Sequence, residues 1–212
     1  MPEKVACAAC GKEVSADQAA KGNGLCLLCS IKLEKKAPCL ECGKPVSAKR
    51  AAKRQGLCLR CSLKRNPFFV LQMSLVERVC QSPDGFETLA ETEKLYYALT
   101  LLQHEVNNGG FHQFFFNSSG SYYDLIENGL ATFDEPQTRE LLHRAKEIVF
   151  AEMPVPVDME VRRERMRECA PSDLDELDQR FYSMPDTLTP KLKSFARERG
   201  LVSAEPASDQ QG

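Results

Sequence analysis

The chain has no tryptophan among its 212 residues, and no aromatic residue of any kind before Phe68. All eleven phenylalanines and five tyrosines therefore fall in the later part, so the first 67 residues cannot build an aromatic core or offer rings for base stacking. Histidine is nearly absent: His104, His112 and His143 are the whole supply, which leaves few parts for a histidine-based catalytic site. No run approaches the ~18 apolar residues that span a bilayer. The N-terminus, MPEKVACAACGKEV, lacks the charged start and apolar run of a secretory signal. The expected location is the cytoplasm, which is reducing, so the ten cysteines point to metal rather than disulfides.

Each part of the chain is also short of one sign of charge. Residues 1–65 hold fourteen Lys/Arg against five Asp/Glu, a formal +9, and residues 66–212 hold fourteen against twenty-five, a formal −11. Two bodies of different physics meet near Arg65, Asn66 and Pro67.

What the first part does have is cysteine. Eight form four CxxC pairs: Cys7/Cys10, Cys26/Cys29, Cys39/Cys42 and Cys58/Cys61. A shift of 32 residues lays CAACGKEVSADQAAKGNGLCLLCSIK on CLECGKPVSAKRAAKRQGLCLRCSLK, with seventeen of twenty-six positions identical. Each copy carries its own four sulfurs, and four thiolates in two CxxC turns suit a tetrahedral zinc ion. The reading is two structural Zn2+ ions, in a first four-cysteine finger over residues 1–34 and a second over 35–66. Units of this size without aromatics have too little core to fold alone. The Ser-Ala-x-x-Ala-Ala-Lys segment reads as a short helical turn between the pairs, and the type is zinc ribbon or treble clef. Lys49, Arg50, Lys53, Arg54, Arg60, Lys64 and Arg65 make the second copy basic, a candidate contact for nucleic acid or an acidic partner. Each zinc–tetrathiolate centre carries −2, so the effective charge of the two fingers is about +5.

From residue 67 the pattern turns helical. Stripes at Leu71, Leu75, Val76 and Val79, at Leu95, Tyr96, Leu99, Leu102 and Val106, and at Leu141, Leu142, Ala145, Ile148 and Val149 have one-face spacing. Leu174, Leu177 and Phe181 give another face. Asp84 with Glu87, Ser172 with Asp175, and Ser119 or Ser121 stand where helix caps are expected. The fold class is mainly α: an all-helical C-terminal bundle of about seven helices over 67–200, preceded by the two small tandem four-cysteine units and followed by a disordered tail at 201–212. Cys80 and Cys169, outside any CxxC pair, read as small buried or half-buried side chains.

One run is unusual: NNGGFHQFFFNSSG, Asn107 to Gly120. Gly109-Gly110 should stop a helix, and Phe111, Phe114 and Phe115 lie on one face of a short one. Catalytic readings are weak. His104-Glu105 begins HExxH, but Asn108 stands where the second histidine belongs, and Ser118-Ser119 sit in NSSG rather than a GxSxG elbow. Asn107, Asn108, His112 and Asn117 remain as a candidate ligand groove.

EVNNGGFHQFFFNSSG, followed by a helix and LLHRAKEIVF, resembles a bacterial domain family whose best-known member is a DNA-mimic protein. The resemblance covers residues 70–152 well and extends less clearly to about 200. It implies an all-helical acidic scaffold whose surface carboxylates imitate duplex phosphates and occupy the DNA-binding face of a transcription regulator. Candidate partner-binding carboxylates are Glu87, Glu91 and Glu93, and Asp173, Asp175, Glu176 and Asp178. The expected function is a non-enzymatic interaction protein whose acidic body binds a basic protein, with no membrane involvement. The alternatives are a nucleic-acid-binding module using the second finger, and an enzyme or ligand-binding domain with its site at the NGGF turn.

Overall fold

Three-residue strands are too short to declare themselves in a sequence, yet each four-cysteine copy begins with a pair of them. The computed structural model describes residues 4–203, and the chain divides into two compact units, Met1–Asn66 and Pro67–Gly212. In the first copy, β1 (Lys4–Ala6) and β2 (Glu13–Ser15) form an antiparallel hairpin with Val5 opposite Val14. In the second, β3 (Lys36–Pro38) and β4 (Pro45–Ser47) repeat it with Ala37 opposite Val46. Each hairpin tip is a CxxC turn. The short helical segments follow as expected: α1 (Ala16–Lys21), where Ser15 Oγ accepts the Gln18 N–H, and α3 (Ala48–Ala52), where Ser47 Oγ accepts that of Arg50. Between and after them come α2 (Leu27–Leu33) and α4 (Leu59–Arg65). The second cysteine pair thus opens a helix, as in a treble clef, rather than a second hairpin, as in a ribbon.

Seven α-helices make up the described part of the second unit: α5 (Pro67–Cys80), α6 (Glu91–Phe116), α7 (Tyr123–Thr132), α8 (Pro136–Phe150), α9 (Met159–Arg165), α10 (Asp175–Ser183) and α11 (Leu188–Glu198). Helix α6 is the central element, packing against α5, α7, α9, α10 and α11. Its face Tyr96, Leu99, Leu102 and Val106 is buried, together with Leu75, Ile126, Leu130, Leu142, Ala145, Leu174 and Leu192 from its neighbours. No helix among the described residues is long and apolar enough to cross a membrane.

Several local expectations are corrected. Asp84 and Glu87 lie in a turn; α6 starts at Glu91, where Glu93 accepts the Ala90 N–H. Asp173, not Ser172, caps the turn before α10, accepting from Ala170 N–H. Ser119 and Ser121 cap nothing: their hydroxyls donate to the carbonyls of Phe114 and Val157. Ile148 is 47 % exposed, and Phe150 takes the buried position on α8. Cys80 is exposed and Cys169 half-buried. Leu201 and Val202 pack on the core rather than starting a tail; the rest of that expectation, residues 204–212, lies outside the described residues.

The NNGGFHQFFFNSSG run resolves into a clamped half-helix. Gly110, at φ +76° and ψ −178°, interrupts α6, and the helix restarts at Phe111. Phe111, Phe114 and Phe115 are fully buried. The restart leaves a free N–H at Phe111, which donates to Asp178 Oδ1 from α10 at 2.8 Å. At the other end the chain leaves the helix, and its carbonyls converge on the wholly buried guanidinium of Arg162 from α9. Arg162 Nε donates to Phe115 O at 2.6 Å, and Nη2 donates to Asn117 O at 2.6 Å. Nη1 donates to Pro156 O, Val157 O and Ser121 Oγ. A carboxylate at the N-terminal end and a cation at the C-terminal end both complement the helix dipole. A Cβ on Gly120 would lie 2.6 Å from Arg162 Nε, and one on Gly110 would lie 2.0 Å from Asp178 Oδ2. The two glycines make room for the two clamps. Gly110→Ala is expected to destabilise the body by about 2–3 kcal/mol, from a backbone region essentially reserved for glycine and a displaced carboxylate. Urea unfolding checks this, and a loss below ~0.5 kcal/mol would show the contact to be dispensable.

Candidate metal centres and charged faces

In each copy the hairpin tip delivers two sulfurs and the helix start delivers two more. Cys26 and Cys58 are the N-caps of α2 and α4, and their Sγ atoms accept the N–H of Cys29 and Cys61 at 3.4 Å. The Cys26 N–H donates to Cys7 Sγ at 3.1 Å and the Cys58 N–H to Cys39 Sγ at 3.2 Å. The four sulfurs of Cys7, Cys10, Cys26 and Cys29 all lie within 4.8 Å of one another, as do those of Cys39, Cys42, Cys58 and Cys61. Four sulfurs bonded at about 2.3 Å to a tetrahedral centre are spaced about 3.8 Å apart. The Cys10–Cys26 and Cys42–Cys58 separations are 3.7 and 3.8 Å. Two four-cysteine metal-binding clusters follow. With four thiolates each and no open position, such a site holds its ion structurally.

Protonation fits the same picture. N–H donation, first from Cys26 and then from Ala9, lowers the Cys7 thiol to about 6, and donation from Cys58 and Cys42 does the same for Cys39. The last sulfurs behave oppositely: hydrogen bonding with the Cys26 sulfur pushes Cys29 up to about 12, and burial pushes Cys61 up as well. Cys7 and Cys39 are poised as thiolates, and a bound cation would favour ionising Cys29 and Cys61 beside them.

The basic candidates gather on the second copy. Lys49, Arg50 and Lys53 sit on or just after α3, Arg54 is half-buried beside them, and Arg60, Lys64 and Arg65 lie on α4. Arg65 Nε is paired with Glu41 at 2.7 Å. The other six have no carboxylate within 4.0 Å among the described residues.

The acidic candidates are thinned by structure. Asp178 is 9 % exposed and spent on Phe111, and burial pushes its carboxyl upward against that N–H bond. Glu93 is held by Arg78 through two bonds of 2.6 and 3.0 Å, which keep its carboxyl below the usual range. Glu87 and Glu91 share Lys94. Asp173 caps Ala170, and Asp175 and Glu176 stand exposed at the start of α10. A phosphate-like array cannot include all seven.

The groove candidates separate. Asn107 and Asn108 line a polar concavity of about 420 Å³ with Gln103, His104, Asp186 and Thr189. Four of these side chains are already bonded: Gln103 Nε2 donates to Asp186 Oδ1 at 2.9 Å, Thr189 Oγ1 to Gln103 Oε1 at 3.2 Å, and Asn107 Nδ2 to Gln103 O at 2.7 Å. His112 instead stacks on Phe116 with centroids 6.0 Å apart, and Asn117 donates to Glu105 at 2.8 Å while its carbonyl serves Arg162. His143 lies on α8 beside Glu147. The partners that complete these arrangements, Asp186, Thr189, Asp178 and Arg162, left no signal at the run itself.

The family model of DMP19-like protein matches residues 87–199, a span from the turn before α6 to the end of α11 that leaves out both four-cysteine units and α5. No curated protein matches the chain, and neither does any solved structure.

Proposed function

From the premise that the chain belongs to the DMP19-like protein family, we propose that it is a non-enzymatic regulatory or interaction protein of the cytoplasm. Two zinc ions hold its basic units in shape. Its acidic helical body binds a basic protein, and the partner class in this reading is a DNA-binding regulator, engaged as duplex DNA would be. The observation that carries the reading is the opposition of charge, +9 before residue 66 and −11 after it, on a chain of this family. The all-sulfur donor sets favour zinc over metals that take oxygen or nitrogen ligands. Three of the four candidates at the NGGF run, Asn107, Asn117 and His112, are engaged in hydrogen bonding or stacking, which supports a binding role over catalysis by these side chains.

Metal analysis of the purified chain is expected to give two zinc ions per molecule. Immobilised chain should capture a DNA-binding protein that its own operator duplex then displaces. Asp175→Lys with Glu176→Lys should weaken that capture by roughly tenfold, since like charge replaces attraction. Capture that duplex DNA does not compete away would end the mimicry reading. A second reading is favoured by the six uncommitted cations on and just after α3 and on α4: nucleic-acid contact by the second unit. It requires affinity that falls steeply with salt, and no shift of any probe by the zinc-loaded chain at low salt would dismiss it.

A further inference from the structure

The duplication supplies an internal reference. The same small fold occurs twice, so a surface that differs between copies is not demanded by the fold. At the 32-residue offset, Gln18, Gly22 and Leu28 correspond to Arg50, Arg54 and Arg60. All three first-copy residues line one groove of about 450 Å³ formed by β2, α1 and the start of α2. Its walls include Val14, Leu25, Leu27 and Leu28, and its rim carries Lys12 and Lys21. Leu27, Leu28 and Ile31 are 75, 63 and 55 % exposed, a set one and four residues apart on one side of a two-turn helix. The second copy turns Leu57 into a core residue, 5 % exposed and packed with Cys39 and Cys61, whereas its counterpart Leu25 stays half-buried in the open groove.

Exposed apolar surface with a polar rim marks an interaction site. The rim decides which kind. Glu13 is turned to Lys4 at 3.6 Å. Lys12 and Lys21 have no carboxylate within 4.0 Å among the described residues. The complement of apolar walls and uncommitted ammonium groups is a segment with apolar anchors flanked by carboxylates, in the mode of an amphipathic helix laid into a groove.

We propose that the first four-cysteine unit binds an acidic amphipathic peptide segment of a partner protein, its apolar side chains against Leu25, Leu27 and Leu28 and its carboxylates on Lys12 and Lys21. The two copies then divide the work: the first reads an acidic amphipathic segment, and the second carries Arg50, Arg54 and Arg60 at the matching positions. This rests on the reading that a metal ion holds each four-cysteine unit in shape.

The test uses the zinc-loaded full chain and a fluorescein-labelled synthetic peptide of about four helical turns, with Leu at i, i+3, i+4 and i+7 and Glu elsewhere. Saturable binding is expected, weakening between ~0.05 and ~0.3 M salt. A matching peptide with Lys in place of Glu should bind at least about tenfold more weakly. Leu28→Arg installs the residue that the second copy already carries, so the fold tolerates it; binding should drop at least about tenfold with two metal ions retained. Lys12→Glu with Lys21→Glu should reverse the preference between the peptides. Equal binding of both peptides, or binding indifferent to Leu28→Arg, overturns the proposal. Two bound ions with no peptide bound overturns the proposal alone, whereas a chain that takes up no metal overturns the reading beneath it as well. A wild-type chain that dimerises in sedimentation equilibrium while Leu28→Arg stays monomeric assigns the groove to a second copy and overturns the peptide assignment.

Discussion

Stripping metal from the reduced chain will unfold its first unit and leave the helical body folded. Apolar burial cannot hold that unit. Its one buried hydrophobic cluster among the described residues consists of Cys39, Leu57 and Cys61, two of which are metal ligands. Leu27, Leu28, Ile31, Leu33, Leu40 and Leu59 are all exposed. Strands of three residues and helices of five to seven do not persist alone. Metal binding supplies roughly 10–16 kcal/mol to units of this kind, far more than their remaining contacts. Without the ion, four sulfurs crowd within 4.8 Å of one another, and Cys29 and Cys61 resist ionisation. Amide exchange followed by NMR measures the outcome: protection should vanish across Lys4–Arg65 on chelation while Phe111 stays protected. Acidification should act in the same direction, because protons compete with the ion for the thiolates, so stability is present at high pH and lost as pH falls. The clusters are assembled within each copy, so Cys10→Ser should release Lys4–Leu33 and spare most of Cys39–Arg65. Protection that survives chelation under reducing conditions would remove the metal from the account.

The metal clusters were legible because their signal is doubled, first by CxxC spacing and then by a repeat of 32 residues that copies it. The helices of the body were legible where a long apolar stripe runs through them, as in Leu99, Leu102 and Val106. Legibility failed where a side chain's role depends on a distant partner. Asp178 reads as one more carboxylate in an acidic stretch, but it caps a helix restart 67 residues upstream. Arg162 reads as an interruption of the acidic half, but it reaches Phe115, 47 residues back. Caps failed for a different reason: Asp84 and Glu87 have the expected spacing inside a turn, while the start of α6 uses Ala90, which has no capping side chain. The strands failed because three residues contain a single alternation. The run NNGGFHQFFFNSSG was legible as a family mark and as a helix break, but its reason is written in α9 and α10, which supply the charges that hold its two ends.

That reason makes Arg162→Met the most damaging single change expected in the helical body. The substitution keeps an unbranched apolar stem and removes every donor. Four backbone carbonyls, of Phe115, Asn117, Pro156 and Val157, then lose the guanidinium within a site from which Arg162 itself is completely excluded from water. A stranded buried acceptor costs about 1–3 kcal/mol; Phe115 O bears this most fully, while Asn117 O keeps the Gly120 N–H and Val157 O the Ser121 hydroxyl, which reduces the sum. A net loss of roughly 3–5 kcal/mol is expected, a large share of a typical domain's stability. The melting temperature should fall on the order of 10 °C. No carboxylate is hydrogen-bonded to the guanidinium among the described residues, and burial pulls the Arg162 pKa down from its ordinary value. The cation is held instead by carbonyl dipoles at the end of α6 and in the segment before α9, which is why charge alone will not substitute. Arg162→Lys keeps the charge but replaces a planar fork of donors with one point, so it should recover less than half of the loss. Asp178→Asn, at the opposite end, keeps an oxygen for the Phe111 N–H and should cost about 1 kcal/mol. If the two residues clamp one element, the pair of substitutions should be non-additive by at least ~0.5 kcal/mol, because a half-helix released at one end has less to lose at the other. Urea unfolding of the four chains tests this. Strict additivity would mean that Phe111–Phe116 is held by its three buried rings and that the charges at its ends act independently.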